Sequence, residues 1–309
     1  MVTFRIATRG SALALWQANY VADRLREKHP GLETELVVYK TMGDHILDKP
    51  LAEIGGKGLF TKELEEGLYA KAVHCAVHSL KDMPTQLPEG MVLGAIPTRA
   101  DVRDCIVRRV DDVEDPTLVG TASLRRMALA QERWPDARTE PIRGNVQTRM
   151  GRLYESGERR VDAVILAMAG LLRLGLTQTE DRYDFSPLNP EKWIPAVGQG
   201  ALAIECRDDD AETLAVLSAL HDEQTAHCVT AERAFMRAVE GDCRVPVGGY
   251  ATADGDHLRL RAFIATTDGQ TRLIETRFGR DADQLGRDVA QLLLDAGGRD
   301  ILARLRGRG

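Results

Sequence analysis

The chain has 309 residues, 43% hydrophobic and 28% charged, a composition that suits a soluble globular protein with two or three cores. A net charge of −6 argues against a nucleic-acid binder, although the total conceals local clusters of arginine. The five cysteines are odd in number and form no CxxC pair, so neither a disulfide framework nor a zinc site is expected, and a reducing cytoplasm fits.

The opening MVTFRIATRGSALALW lacks the basic and apolar regions of a signal peptide. The longest apolar stretch, Val161 to Leu172, contains Asp162 and is too short to span a bilayer. Phe4 to Ala7 predicts a strand, and TRGSALALWQANYVADRLREKH predicts an amphipathic helix with Ser11 as its N-cap. Arg9 falls at the turn between them, where it is either an anion ligand or a surface arginine. Glu35 to Tyr39 completes a βαβ beginning.

The stretch TMGDHILDKPLAEIGGKGLF is long, polar and glycine-rich, as functional or mobile loops are. Its GGKG does not fit a P-loop. Lys57 at a helix start is open to two readings, an anion contact or a solvated lysine. Cys75 to His78 predicts a buried strand that runs into SLKDMP. Ser79, Lys81 and Asp82 therefore lie past a strand's carboxyl end, either as a ligand site or as a solvated turn. Val92 to Ile96 is strand-like.

A second unit of the same style begins at Cys105 to Arg109. Strands are expected at Leu118 to Gly120, Thr139 to Ile142 and Val161 to Ala167, with helices in TASLRRMALAQER and RGNVQTRMGRLYESG. Arg125 and Arg126 fall in a helix's first turn, the unfavourable end for cations. With Arg143, Arg149 and Arg173 they place an arginine at nearly every turn, which points to a ligand bearing several carboxylates or phosphates.

PLNPEKWIPAVGQG resembles a crossover or hinge, and ALAIECR predicts a strand. Two helices follow, broken near His221 to Thr225. Strands at Tyr250 to Ala253, His257 to Ala265 and Arg272 to Arg277 and one closing helix predict a small α+β domain. Cys243 lies in EGDCRVPVGG, whose glycines and proline restrict a loop. Its thiol is either a packed small hydrophobe or an accessible attachment point.

Taken together, IATRGSALALWQA, GGKGLF, AVHSLKDMP, GTASLRR, RGNVQTR, ILAMAGLLRLGL, PAVGQGALAIECR, TAERAF and EGDCRVPVG resemble the porphobilinogen deaminase (hydroxymethylbilane synthase) family, in family order and over almost the whole chain. The resemblance implies two periplasmic-binding-protein-like (type II) α/β domains around a cleft and a small C-terminal α+β domain. The expected boundaries are 1–98 with about 198–217, then 99–197, then 218–309.

It also implies a dipyrromethane held by a thioether to Cys243. On this primer four porphobilinogen molecules are deaminated and joined, and hydroxymethylbilane is released for haem, chlorophyll or sirohaem synthesis. By the same resemblance Asp82 is catalytic and also binds the cofactor, as do Lys81, Ser123, Arg125 and Arg126. Arg9, Ser11, Lys57, Ser79, Arg143, Arg149 and Arg173 are implied to bind substrate. No metal, nucleic acid or membrane is implied. A monomer is expected, with hand-over of the product to the next pathway enzyme. A growing product also implies lobes that shift about hinges and a moving 44–60 loop. Two positions depart from the family pattern, Ala122 where a second serine is common and Asp242 where a glycine is common.

Overall fold

Short runs of Val, Ile, Leu and Ala alternate with helical stretches through the first part of the chain, and most of these runs become strands. The computed structural model describes residues 3–45, 61–112, 114–239 and 245–306. The elements in chain order are β1 (Phe4–Arg9), α1 (Ala12–Lys28), β2 (Thr34–Tyr39), α2 (Lys62–Tyr69), β3 (Cys75–Ser79), β4 (Met91–Ala95), β5 (Asp104–Arg109), β6 (Leu118–Gly120), α3 (Leu124–Arg133), β7 (Arg138–Glu140), α4 (Val146–Gly151), β8 (Ala163–Ala167), α5 (Met168–Arg173), β9 (Tyr183–Pro187), β10 (Leu202–Arg207), α6 (Ala211–Ser218), α7 (Glu223–Ala238), β11 (Val247–Asp254), β12 (His257–Ala265), β13 (Arg272–Gly279), α8 (Ala282–Leu293) and α9 (Arg299–Arg306), with short helical turns between some of them.

These elements divide between two compact units. The first takes the described residues up to Ala100 together with Gly200–Ala226, and the second takes Asp101–Gln199 and the chain from His227 onward. In the first, the sheet order is β2-β1-β3-β10-β4. β1 runs parallel to β2 and β3, while β10 is antiparallel to both of its neighbours. Ile6, Ala7 and Thr8 are wholly buried because both faces of the sheet are covered. On one face α1 packs Ala18, Val21 and Leu25 against Ile6, Val77 and Ile204. On the other, α2 packs Leu64 and Leu68 against Ala7 and Ala76. The parallel strands β1 and β3 end at the same edge, which brings Arg9 and Ser79 to the carboxyl side where open α/β sheets bind ligands.

The second unit repeats this plan. Its α/β sheet has the order β7-β6-β8-β5-β9. β6 is parallel to β7 and β8, and β5 is antiparallel to β8 and β9. The remaining three strands, β11, β12 and β13, form an antiparallel meander. β12 shows the alternation of a sheet covered on both faces. Leu258, Leu260, Ala262 and Ile264 face a core with α7, α8 and α9, whereas Phe263 and Ala265 enter the core that contains Ile106, Leu129 and Trp134. The chain therefore has two α/β domains of the periplasmic-binding-protein type II kind and a small C-terminal α+β domain.

Two expectations are corrected, and one strand is added. The closing helix is broken into α8 and α9, because Gly297 takes φ of 114° and ends the first of them. Gly248 and Gly249 are strand residues of β11, not part of a loop. β9 was not foreseen, since a run ending in Pro187 does not read as strand, and an edge position tolerates that proline. No helix among the described residues is long and apolar enough to cross a membrane.

Candidate functional site

In the first unit a cavity of about 80 Å³ opens at the carboxyl edge of the sheet. Arg9 and Ser11 reach it from the β1–α1 turn, Gln17 from α1, and His78, Ser79 and Asp82 from the end of β3. Local structure explains each placement. The Ser11 hydroxyl accepts from the Ala14 N–H at 3.3 Å and caps α1, as the sequence predicts. Gln17 Nε2 donates to Ser79 Oγ at 2.9 Å, tying helix to strand. Asp82 sits on a tight turn, Leu80–Asp82, whose Leu80 and Met83 are buried. The Leu80 N–H donates to the Ala201 carbonyl at 3.0 Å, so the turn is pinned from inside while Lys81 and Asp82 stay exposed.

In the second unit Asp104 begins β5 opposite Ala167 in register. Its carboxylate is wholly buried and accepts from Arg125 Nη1 at 2.7 Å, Arg126 Nη2 at 2.7 Å and Arg126 Nε at 3.1 Å. Trp193 Nε1 and Gln199 Nε2 each donate at 2.9 Å. The backbone carbonyls of Ile194 and Ile165 take further bonds from Arg125 and Arg126. Burial pushes the Asp104 carboxyl up, but the two guanidiniums outweigh it and hold it well below the usual carboxylate range. Burial pushes the Arg125 guanidinium down, and repulsion from Arg126 adds to this.

Two guanidiniums share one carboxylate, so a net positive charge stays buried at the start of α3. Ser123 caps that helix through the Arg126 N–H. Arg143 lies half-buried in the turn before α4, and Arg149 Nε folds back onto the Gly144 carbonyl at 2.8 Å. Arg173 is in the last turn of α5 and half-buried.

Of the predicted residues, Arg9, Ser11, Ser79 and Asp82 share the cavity, with Lys81 beside Asp82, and Arg125 and Arg126 share Asp104, with Ser123 capping their helix; Arg143, Arg149 and Arg173 stand at the turn before α4, on α4 and on α5. Lys57, Cys243, Asp242 and most of the 44–60 loop lie outside the described residues. Sequence reasoning missed Gln17, His78, Asp104 and Gln199. A charged residue at the start of an apolar strand (DCIV) and a histidine ending another (CAVH) were the available signals, because buried polar groups are the informative exceptions.

The donor set suits a dipyrromethane, whose acetate and propionate groups call for cations. Arg125 and Arg126 carry one charge more than Asp104 cancels, the kind of group those carboxylates require, and Ser123 adds a hydroxyl. Cys75, Cys105, Cys206 and Cys228 are buried thiols. Burial pushes Cys105 up to about 12 and Cys206 up to about 11, and raises Cys75 further. None of those three ionises near neutrality.

Residues 4–215 match the model described as porphobilinogen deaminase, dipyromethane cofactor binding domain. Residues 226–295 match that described as porphobilinogen deaminase, C-terminal domain. Among solved structures, similar ones include the BenM effector binding domain with its effector benzoate (14% identity, 71% of this chain and 90% of that one, TM-score 0.43). An ABC transporter from Parabacteroides distasonis (11% identity, 78% and 75%, TM-score 0.43) and YhfZ from Shigella flexneri (14%, 78% and 99%, TM-score 0.38) are also similar. These structural likenesses are too slight to carry an argument.

Proposed function

The chain belongs to the porphobilinogen deaminase family, a transferase family of tetrapyrrole synthesis with a dipyrromethane cofactor, and on that premise we propose that it deaminates four porphobilinogen molecules in turn, joins them into a linear tetrapyrrole and releases hydroxymethylbilane. The observation that carries this reading is the exposed Asp82 carboxylate in a cavity shared with Arg9 and Ser79.

Loss of ammonia from porphobilinogen leaves a cationic azafulvene. A carboxylate beside it stabilises the charge and handles protons, and Asp82 is that carboxylate. Arg9, Ser11 and Ser79 orient the substrate's acetate and propionate, with Lys57, Arg143, Arg149 and Arg173 supplying further contacts as the product lengthens. Lys81, Ser123, Arg125 and Arg126 hold the dipyrromethane together with Asp82. When bound, the dipyrromethane supplies the free pyrrole carbon from which the product is built. Cys243 is its attachment point, a reading supported by the burial of the four other thiols. A cytoplasmic monomer that hands its product to a following enzyme belongs to the same reading.

The test is intact mass combined with ammonia release. The purified protein is expected to weigh more than its sequence by one dipyrromethane, and Cys243→Ser to lose that increment. Adding porphobilinogen should release ammonia. An unmodified protein with full activity would overturn the tether, and the absence of ammonia release would overturn the reaction.

A further inference from the structure

The face of the first sheet that carries α2 also buries three titratable groups that the site above leaves unused. His78 pairs with Ala203 and Glu205 with Ala76, so the two are diagonal neighbours on β3 and β10. His78 Nε2 lies 3.1 Å from Glu205 Oε2, with side chains 5% and 0% exposed. Glu65 of α2 is buried close enough to feel both charges.

His78 Nε2 and Glu205 Oε2 approach as an ion pair without the alignment of a hydrogen bond, and Glu205 Oε1 and Glu65 Oε1 have no hydrogen-bond partner among the described residues. Native folds leave few buried polar atoms so, and these four fall on adjoining groups that can all exchange a proton. Burial first, then the Glu205 and Glu63 charges, push the Glu65 carboxyl up, against the pull of Thr61 and His78. The cluster opens on the Asp82 cavity, because His78 and Thr61 both line it. The ionisable groups around His78 are Glu205 from β10, Glu65 and Glu63 from α2, Arg9 from the end of β1, and Lys81 and Asp82 from the following turn.

We propose that His78, seated on Glu205 and backed by Glu65, is a proton relay for Asp82. This rests on the deaminase reading. Each round breaks one C–N bond and forms one C–C bond: the amine takes up a proton as it leaves as ammonia, and the attacking pyrrole carbon gives one up once the C–C bond has formed. Asp82 passes the first proton from His78 to the amine and returns the second from carbon to His78, so the imidazole ends each round as it began. His78 is thus a positioning residue. It sets where the proton waits, while Asp82 meets the substrate.

The experiment has two arms on the full chain carrying its cofactor. The first is an NMR pH titration of labelled histidines without substrate, with the His78 signal assigned by its loss in His78→Gln. Glu205→Gln is expected to lower the His78 midpoint by about one unit or more. The second is the pH profile of ammonia release. His78→Gln is expected to lower kcat about 10–100-fold with KM within about twofold, and to remove one limb of the profile. A purely structural cluster would lower stability and leave the limb in place.

An unchanged His78 midpoint in Glu205→Gln, or an unchanged profile in His78→Gln, overturns the relay while wild-type ammonia release upholds the reaction. A wild type that releases no ammonia overturns both. If His78→Gln does not fold, Glu205→Gln, which removes the charge on which His78 is seated, decides: an unchanged profile of ammonia release overturns the relay, and a displaced limb supports it.

Discussion

At the scale of the residue, exposure separates the two carboxylates that matter most. Asp82 is exposed on a turn held by Leu80 and Met83, so its removal spares the core. Asp82→Asn is expected to lower turnover by about 10²–10³ with an unchanged melting temperature; near-normal turnover would remove Asp82 from its role. Asp104 is the opposite case. Truncating a buried ion pair leaves uncompensated charge, and Asp104→Asn is expected to cost ~3–5 kcal/mol in a urea melt. Its folded carboxyl lies below the usual range, so its contribution is present above that range and is lost only as pH falls through the depressed value. Glu65 has the reverse sign. Its raised carboxyl keeps a proton that the unfolded chain releases, so stability falls as pH rises from the usual carboxylate range through the raised value. Glu65→Gln should flatten that slope in melting curves taken across the acidic range. Asp82 was legible from its place after a strand. Asp104 and His78 were not, because one charged residue in an apolar run does not say which distant donors it will meet.

At the scale of the element, the strand after the Cys243 segment is tightly constrained. A Cβ at Gly248 would stand 2.5 Å from a Phe263 ring carbon and 2.8 Å from the Pro195 carbonyl oxygen. Gly248→Ala is therefore expected to destabilise by ~1–3 kcal/mol and to be visible in thermal melts; a neutral effect would mean that β11 shifts freely. Buried Glu232 of α7 fixes the same region, accepting from the Gly198 N–H at 2.7 Å and the Ala251 N–H at 2.8 Å. Most elements were readable, since apolar runs and caps at Ser11 and Ser123 mark them. The break between α8 and α9 was not, because helical periodicity on both sides of Gly297 masks one residue at positive φ.

At the scale of the whole molecule, the repeated strand–turn–helix style announced two α/β domains, and the change of style after Cys243 announced the third. The partition of their cores was hidden. Phe263 and Ala265 of β12 belong to the core of Ile106, Leu129 and Trp134, and Arg259 bonds Glu191 through both Nη atoms at 2.8 and 2.6 Å. Residues 101–199 and the C-terminal domain are therefore expected to unfold as one cooperative step. Hydrogen exchange should give the amides of β8 and β12 the same opening free energy, and a separate early loss of protection in β12 would contradict this.

The place of β10 has a consequence for the order in which the protein is made. It lies between β3 and β4, and its backbone joins both. A ribosome delivers β4 about a hundred residues before β10, so the first sheet waits with its last strand unattached while the whole of 101–199 is synthesised. The nascent chain must shelter two open strand edges through that interval, and a pause before Leu202 would prolong the time in which another chain can pair with them.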